Sequence, residues 1–355
     1  MVEWLAGNRI RGTSAEKPVL GLQSPSVGGW KELARHTRTT QGIMDVSSIP
    51  LSRYYMVLTN VFDSAPAGNM RVYCNNDTGS THADRGSQNG AGDFTEVSKT
   101  NGCYWGGNTI DEGFGVTYWS NLAGKEKLGI SHFVDRSASG AGTAPDRSEA
   151  VLKWSDVSTA INRFNSPASW NFWDSGSEMI VLGWDPADTH TTNFWEELGT
   201  FTNGTTTTDL TITSKKYLWI QGYTKGNGDG TGWRPAIKVG NTTISSADYA
   251  NRESINGGAD GTYTSQGNMP MTSGGDTVGT FFNVFIINNA SNEKLAMGWS
   301  VNSSVAGADT APIRQEFAHK WAQTSSQIDK LQVHRAVGSD SGLDADTIVK
   351  CWGSD

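Results

Sequence analysis

The chain is poor in charge and in cysteine, and it lacks any long hydrophobic run. Only 18% of its 355 residues are Asp, Glu, Lys or Arg, and the formal net charge is -8. Its 28 basic residues are scattered with no basic stripe, so nucleic acid is not an expected partner. The acidic balance argues for solubility. No apolar run approaches the ~20 residues that a membrane-spanning helix needs, so no membrane partner is expected either. Cys74, Cys103 and Cys351 form an odd, sparse set that makes no disulfide framework. Free thiols are expected, with a Cys74–Cys103 bridge as the alternative. The opening residues, Met1 to Arg11, lack the charged-then-apolar order of a secretory signal. Together these features predict a protein made and assembled in the cytoplasm.

Signatures of metal binding and catalysis are also missing. His36, His82, His132, His190, His319 and His334 include no pair at i,i+4, and there is no HExxH, CxxC or complete EF-hand loop. Neither a metal nor any other cofactor is expected. Two Gly/Asp loops, Gly226-Asn227-Gly228-Asp229-Gly230 and Gly257-Gly258-Ala259-Asp260-Gly261, supply one carboxylate each. A Ca²⁺ site usually needs several oxygens, so both read as plain turns. No Gly-x-Ser-x-Gly elbow and no phosphate loop of the Walker type occurs.

What the chain does have is 42 Gly, with much Ser, Thr and Asn, and 14 Trp. The first group favours turns and strand edges over helix. The large rings fill sandwich cores or line flat binding faces.

The sequence repeats itself. Trp30-Lys31-Glu32-Leu33 recurs as Trp195-Glu196-Glu197-Leu198, and Arg53-Tyr54 as Lys216-Tyr217. From Arg85 to Ile161 one constant shift of 167 positions aligns the copies. At that shift Arg85, Ser87, Asn89, Gly90 and Asp93 match Arg252, Ser254, Asn256, Gly257 and Asp260. Asn121 matches Asn288, and Glu126-Lys127-Leu128 match Glu293-Lys294-Leu295. Thr143-Ala144-Pro145 match Thr310-Ala311-Pro312, and Arg147, Glu149, Lys153 and Trp154 match Arg314, Glu316, Lys320 and Trp321. At the copy ends Ile180-Val181 align with Ile348-Val349, at a shift of 168. Matched Trp, Pro, Arg and Glu without a gap indicate duplication rather than chance similarity. The expected organisation is an extended N-terminal arm over 1–28, one module over 29–188 and a second over 189–355.

Short runs rich in Val, Ile, Tyr, Phe, Trp and Thr alternate with turn clusters, which predicts strands. Leu128, Ile130 and His132 face one way and Gly129, Ser131 and Phe133 the other. Phe281 to Ile287 is nearly all apolar, as for a strand buried on both faces. Arg314 to Trp321, with Phe317 and Trp321 four apart, is the best helix candidate. In the first copy the corresponding Arg147 to Trp154 suits a strand equally well. Eight to ten short strands in each ~160-residue copy predict an all-β protein of two tandem homologous jelly-roll-like β-sandwiches.

A sugar-cleaving enzyme on such a scaffold would need two acids facing across a groove. The shared acids are Glu126 with Glu293 and Glu149 with Glu316. Each lies beside a shared cation, Lys127 or Arg147 in the first copy, which predicts ion pairing and no enzyme activity. Trp105 and Trp233 sit in Gly-rich stretches, Tyr104-Trp105-Gly106-Gly107 and Thr231-Gly232-Trp233-Arg234. Ring stacking on glycans is the ligand reading for these two. Plugging a sandwich and packing on a neighbouring subunit are the structural ones.

Two stretches carry a family resemblance. Asn75-Asn76-Asp77-Thr78-Gly79-Ser80 running on to Arg85, and the module-ending Asp174-Ser175-Gly176-Ser177-Glu178-Met179-Ile180-Val181-Leu182-Gly183, resemble virion structural proteins of marine tailed phages and related archaeal viruses. The second copy departs at its end, where Ser341-Gly342-Leu343-Asp344-Ala345-Asp346 replaces the Gly-Ser turn. The resemblance implies a lectin-like sandwich without catalytic residues, displayed on a virion as a capsid, capsid-decoration or fibre component. Its implied partners are copies of itself and other virion proteins, with host-surface glycans added if the Trp reading holds. Residues 1–28 would then anchor the chain or cross a neighbouring subunit. The alternative function is a carbohydrate-binding or adhesin module.

Overall fold

In the computed structural model the described residues are 29–63, 69–107, 111–167, 173–185, 192–202, 209–226, 235–244, 247–272, 279–303, 308–335 and 343–355. The proposed N-terminal arm, Trp170, Trp233 and the loop from Asn227 to Gly230 lie outside them.

The first copy forms twelve strands. They are β1 (Lys31–Thr37), β2 (Asp45–Val46), β3 (Tyr54–Phe62), β4 (Met70–Cys74), β5 (His82–Gln88) and β6 (Phe94–Lys99). Then follow β7 (Cys103–Gly106), β8 (Glu112–Ser120), β9 (Lys127–Asp135), β10 (Asp146–Trp154), β11 (Phe164–Asn165) and β12 (Glu178–Trp184). The second copy begins with β13 (Glu196–Thr202), β14 (Asp209–Thr211), β15 (Tyr217–Thr224), β16 (Pro235–Asn241), β17 (Thr243–Ile244), β18 (Tyr249–Ile255) and β19 (Gly261–Gln266). It ends with β20 (Met269–Pro270), β21 (Thr280–Ile287), β22 (Lys294–Asn302), β23 (Ile313–Trp321), β24 (Lys330–Arg335) and β25 (Ile348–Ser354). No helix occurs among the described residues.

Each copy is a sandwich of one large and one small antiparallel sheet. The large sheets run β1-β12-β3-β8-β9-β10-β5-β6 and β13-β25-β15-β21-β22-β23-β18-β19, the same order twice. The small ones run β2-β11-β4-β7 and β14-β24-β16-β17, with β20 pairing β16 as β7 pairs β4. The first core packs Trp105, Trp119, Trp154 and Trp173 with Val57, Val72, Phe133 and Phe164. The second packs Leu218, Ile220, Phe282, Val284, Phe317 and Trp321 with Ile237 and Val333.

The residues that repeat in sequence repeat in role. Asn121 and Asn288 are buried, and each accepts a backbone hydrogen bond forty residues on, from Ile161 N at 2.7 Å and Ile328 N at 2.6 Å. Each donates its amide to the carbonyl of that same residue. Asn89-Gly90 and Asn256-Gly257 turn β5 into β6 and β18 into β19, with φ of 51° and 69° in one copy and 53° and 72° in the other. Two consecutive positive φ values are what a tight hairpin turn asks of Asn-Gly. Lys127 and Lys294 each cap two backbone carbonyls with the ammonium lying over Trp154 or Trp321.

Three expectations change. Arg314 to Trp321 belongs to strand β23, not a helix. Its nine residues pair with β22 on one side, and most of them pair with β18 on the other. A spacing of four fits a strand as well as a helix, because it is an even number of residues, and two full ladders outweigh local preference. The strands number more than eight to ten per copy because short two-residue pairings complete the small sheets. The alignment at the copy ends also moves. Trp184 pairs with Tyr54 and Ser354 pairs with Tyr217, which sets the offset at 170 rather than 168. The Ile-Val pairs match by eye two places out because a two-residue slip keeps every side chain on its own face.

The chain divides into two compact units, one comprising residues up to Ser137 with Asp146–Glu196, the other Ala138–Pro145 with Glu197–Asp355. The first unit ends at Glu196, the opening residue of β13. The eight residues of Ala138–Pro145, between β9 and β10 in sequence, belong to the second unit.

Candidate functional site

Trp105 is withdrawn as a glycan platform. It lies on β7 rather than in a loop and is 1% exposed. Its ring meets Phe164 edge-on at 5.4 Å and Trp119 at 6.3 Å, and its carbonyl accepts a bond from Ser131 Oγ at 2.6 Å. The Gly residues on its flank allow the close packing: Gly106 holds φ of 151°, and a Cβ there would meet Phe133. Trp119, Trp173 and Trp219 are buried as well. Trp233 lies outside the described residues.

The thiols are free and buried. Desolvation raises all three: Cys74, Cys103 and Cys351 sit well above an ordinary cysteine. Among the described residues no group of three His, Cys, Asp or Glu could hold a metal. The Gly257–Gly261 loop is the turn between β18 and β19, and Asp260 faces Arg252 at 4.0 Å.

The shared acids are ion-paired. Arg147 bonds Glu149 at 3.0 Å, and Arg314 lies 3.5 Å from Glu316. Glu126 pairs across the strand with Lys153 at 3.7 Å rather than with its neighbour Lys127, whose ammonium is held by the carbonyls of Lys125 and Asp156. Glu293 pairs with Lys320 at 3.7 Å in the same way.

These pairs frame a surface. On β9 and β10, Phe133, Ala150, Leu152 and Trp154 point into the core. Alternation therefore sends Leu128, Ile130 and Val151 outward, where each is about half exposed. The register sets them side by side. Val151 is opposite Ile130 on one flank and Arg85 on the other, and Lys153 is opposite Leu128. The result is an apolar strip bordered by two exposed ion pairs, Lys153–Glu126 and Arg85–Asp93 at 3.6 Å.

In the second unit the equivalent strip is Leu295, Met297 and Ala318, again side by side with Lys320 and Arg252. Here every member is buried. The ion pairs are covered too: Lys320 and Glu293 are 0% and 3% exposed, whereas Lys153 and Glu126 are 44% and 45%. Ala138–Pro145 lies on this face. Lys320 Nζ donates to the Ala138 carbonyl, and Gly140 N donates to Glu293 Oε1 at 2.5 Å. Ser265 N donates to the Ala141 carbonyl at 2.8 Å, and Arg252 Nε to the Pro145 carbonyl at 2.7 Å. Of the acids read from sequence as ion-paired, Glu293 is thus also one of the groups that hold this segment, beside Lys320 and Arg252. The signal in the sequence was their retention in both copies, together with retention of Thr-Ala-Pro in the segment.

No protein-family model matches the chain, and no curated protein matches it. Among solved structures, domains LG4-5 of the mouse laminin alpha1 chain align over 91% of this chain and 89% of theirs, at 11% identity and a TM-score of 0.17. Neisserial surface protein A aligns over 79% of this chain and 97% of its own, at 8% identity and a TM-score of 0.11. At such scores neither likeness carries an argument about this protein.

Proposed function

We propose that this chain is a non-enzymatic structural protein that assembles with copies of itself, as a capsid, capsid-decoration or fibre component of a virus particle. The observation that carries the self-assembly is the outer strip of Leu128, Ile130 and Val151. Apolar groups gathered on a sheet face and rimmed by charge mark a surface meant for a partner. The shared acids support the non-enzymatic reading. Each lies within 4 Å of a cation, which ties it to an ion pair. The virion assignment rests on the sequence resemblance. Its first stretch forms the turn in which Asp77 accepts bonds from Gly79 N at 2.8 Å and Trp154 Nε1 at 2.8 Å. The implied location is the virion, after assembly in the host cytoplasm, with other virion proteins as further partners.

Light scattering of the purified full chain, followed by electron microscopy of the same sample, tests the reading. Ordered oligomers, filaments or shells are the expected outcome. A monomer at every soluble concentration would count against it.

A further inference from the structure

We propose that a second copy of this chain docks its β22–β23 connection, Ala308–Pro312, on the outer face of β9, β10 and β5. The docking would follow the way Ala138–Pro145 lies on β22, β23 and β18. This deepens the self-assembly reading and rests on it, by naming the two surfaces that meet.

The receiving surface is already built in the first unit. The four groups that hold Ala138–Pro145 are Lys320, Glu293, Arg252 and Ser265. Their equivalents at the constant shift are Lys153, Glu126, Arg85 and Ser98, all retained. The side chains hold the same pairings, Lys153 with Glu126 and Arg85 with Asp93. The backbone holds the same shape: Ser98 has φ of 51° and Ser265 has φ of 52°, each in an edge strand whose partner register is broken by a bulge. Exposed ion pairs contribute little to stability, so stability of the first unit gives no reason for keeping this set. Docking of the same segment does.

The inserting surface is built in the second unit. Ala308, Thr310, Ala311 and Pro312 repeat Ala141, Thr143, Ala144 and Pro145. Exposure again divides the copies. Ala144 and Pro145 are buried whereas Ala311 and Pro312 are exposed, and Arg147 is 6% exposed against 61% for Arg314. Beside the segment Phe281 and Val301 are over 40% exposed, while their equivalents Phe114 and Val134 are fully buried. One chain therefore presents an unused receptor on its first unit and an unused insert on its second. The match lies in Ala308 and Pro312 against Ser98 and Arg85, the equivalents of Ala141 and Pro145 held by Ser265 and Arg252 in the second unit. A second molecule supplies the insert to the receptor of the first, head to tail.

Cysteine trapping on the full chain tests this, since all three native thiols are buried. Ser98→Cys chains are mixed with Ala308→Cys chains under mild oxidation. Val151→Asp and Arg85→Glu are compared with wild type by sedimentation over a concentration series. Both substitutions fall on exposed sites, and circular dichroism with urea unfolding checks that each variant keeps the wild-type fold. Ser265→Cys with Ala141→Cys in one chain is the control for cross-linking geometry. The expected result is a disulfide dimer in the mixture but in neither chain alone, and self-association weakened at least tenfold by each charge substitution. Wild-type assembly that ignores both substitutions, with no cross-link where the control forms one, overturns the docking surface and leaves self-assembly standing. A wild type that stays monomeric, with no cross-link, overturns both.

Discussion

Trp105 joins both sheets of the first unit, with β8 contributing Trp119 and β11 contributing Phe164 to its surroundings. Truncating a fully buried indole removes its transfer free energy and leaves a cavity, at a cost of about 3–5 kcal/mol. Trp105→Ala is accordingly expected to shift the urea midpoint of the first unit strongly, with no sugar-dependent fluorescence lost. A sugar-dependent signal in wild type that vanished in a well-folded Trp105→Ala protein would restore the ring as a ligand platform. His319 is the second residue with a measurable signature. It is buried on β23 with Nδ1 2.9 Å from Asn251 Oδ1, and burial lowers it to about 3. Between pH 6.5 and about 3 the unfolded imidazole takes up a proton that the folded one refuses. The contribution to stability is complete above pH 6.5 and is lost as pH falls, by up to about 1.4 kcal/mol per pH unit. In the first unit Asp84, raised by burial to about 6, acts in the opposite sense. There the folded carboxyl holds a proton that the unfolded one has released, so acidification from pH 6 towards 4 stabilises. His319→Gln is expected to flatten the acid slope of the second unit alone, read by unfolding at a series of pH values. An unchanged slope would rule out the imidazole as its source.

At the scale of elements the hairpins carry the clearest tests. Asn256-Gly257 closes β18 to β19, and Asn256 Oδ1 also accepts from Arg314 N at 2.9 Å, tying the turn to β23. Asn89 does the same for Arg147 N at 2.9 Å. Gly257→Ala puts a Cβ at φ of 72° and 3.0 Å from the Arg314 guanidinium. The left-handed conformation costs an L-residue about 1–2 kcal/mol, which should appear as a lower unfolding midpoint for the second unit. A neutral Gly257→Ala would mean the turn is free to adopt another type. The strands themselves were legible wherever β-branched and aromatic runs alternated: Leu128 and Ile130 face solvent and Phe133 faces the core, as the pattern requires. Phe281 to Ile287 is buried along its length except at Phe281, half exposed, and that end borders the proposed insert. The helix reading of Arg314 to Trp321 failed because even spacing satisfies both periods, and only the ladder to β18 and β22 distinguishes them.

At the scale of the molecule, a contact between unlike surfaces of identical chains is heterologous, and it either closes into a ring or propagates as a filament. Microscopy of the assembled chain is expected to show one of these. Val151→Asp should abolish it without altering the unfolding of either unit.

The amino-acid sequence by itself determined that the protein is all-β, that it is duplicated, and which residues recur. Periodicity, turn chemistry and a constant spacing are local properties of the chain. It also placed the shared acids beside shared cations. Tertiary structure alone decided the rest. It sent Trp105 inward, because burial depends on what the opposite sheet supplies. It exchanged Lys127 for Lys153 as the partner of Glu126, because cross-strand neighbours are distant in sequence. It gave Ala138–Pro145 to the second unit, leaving one receptor covered and its twin exposed. The shared Lys, Glu and Arg differ in exposure between the copies because only one copy has the segment lying on its face.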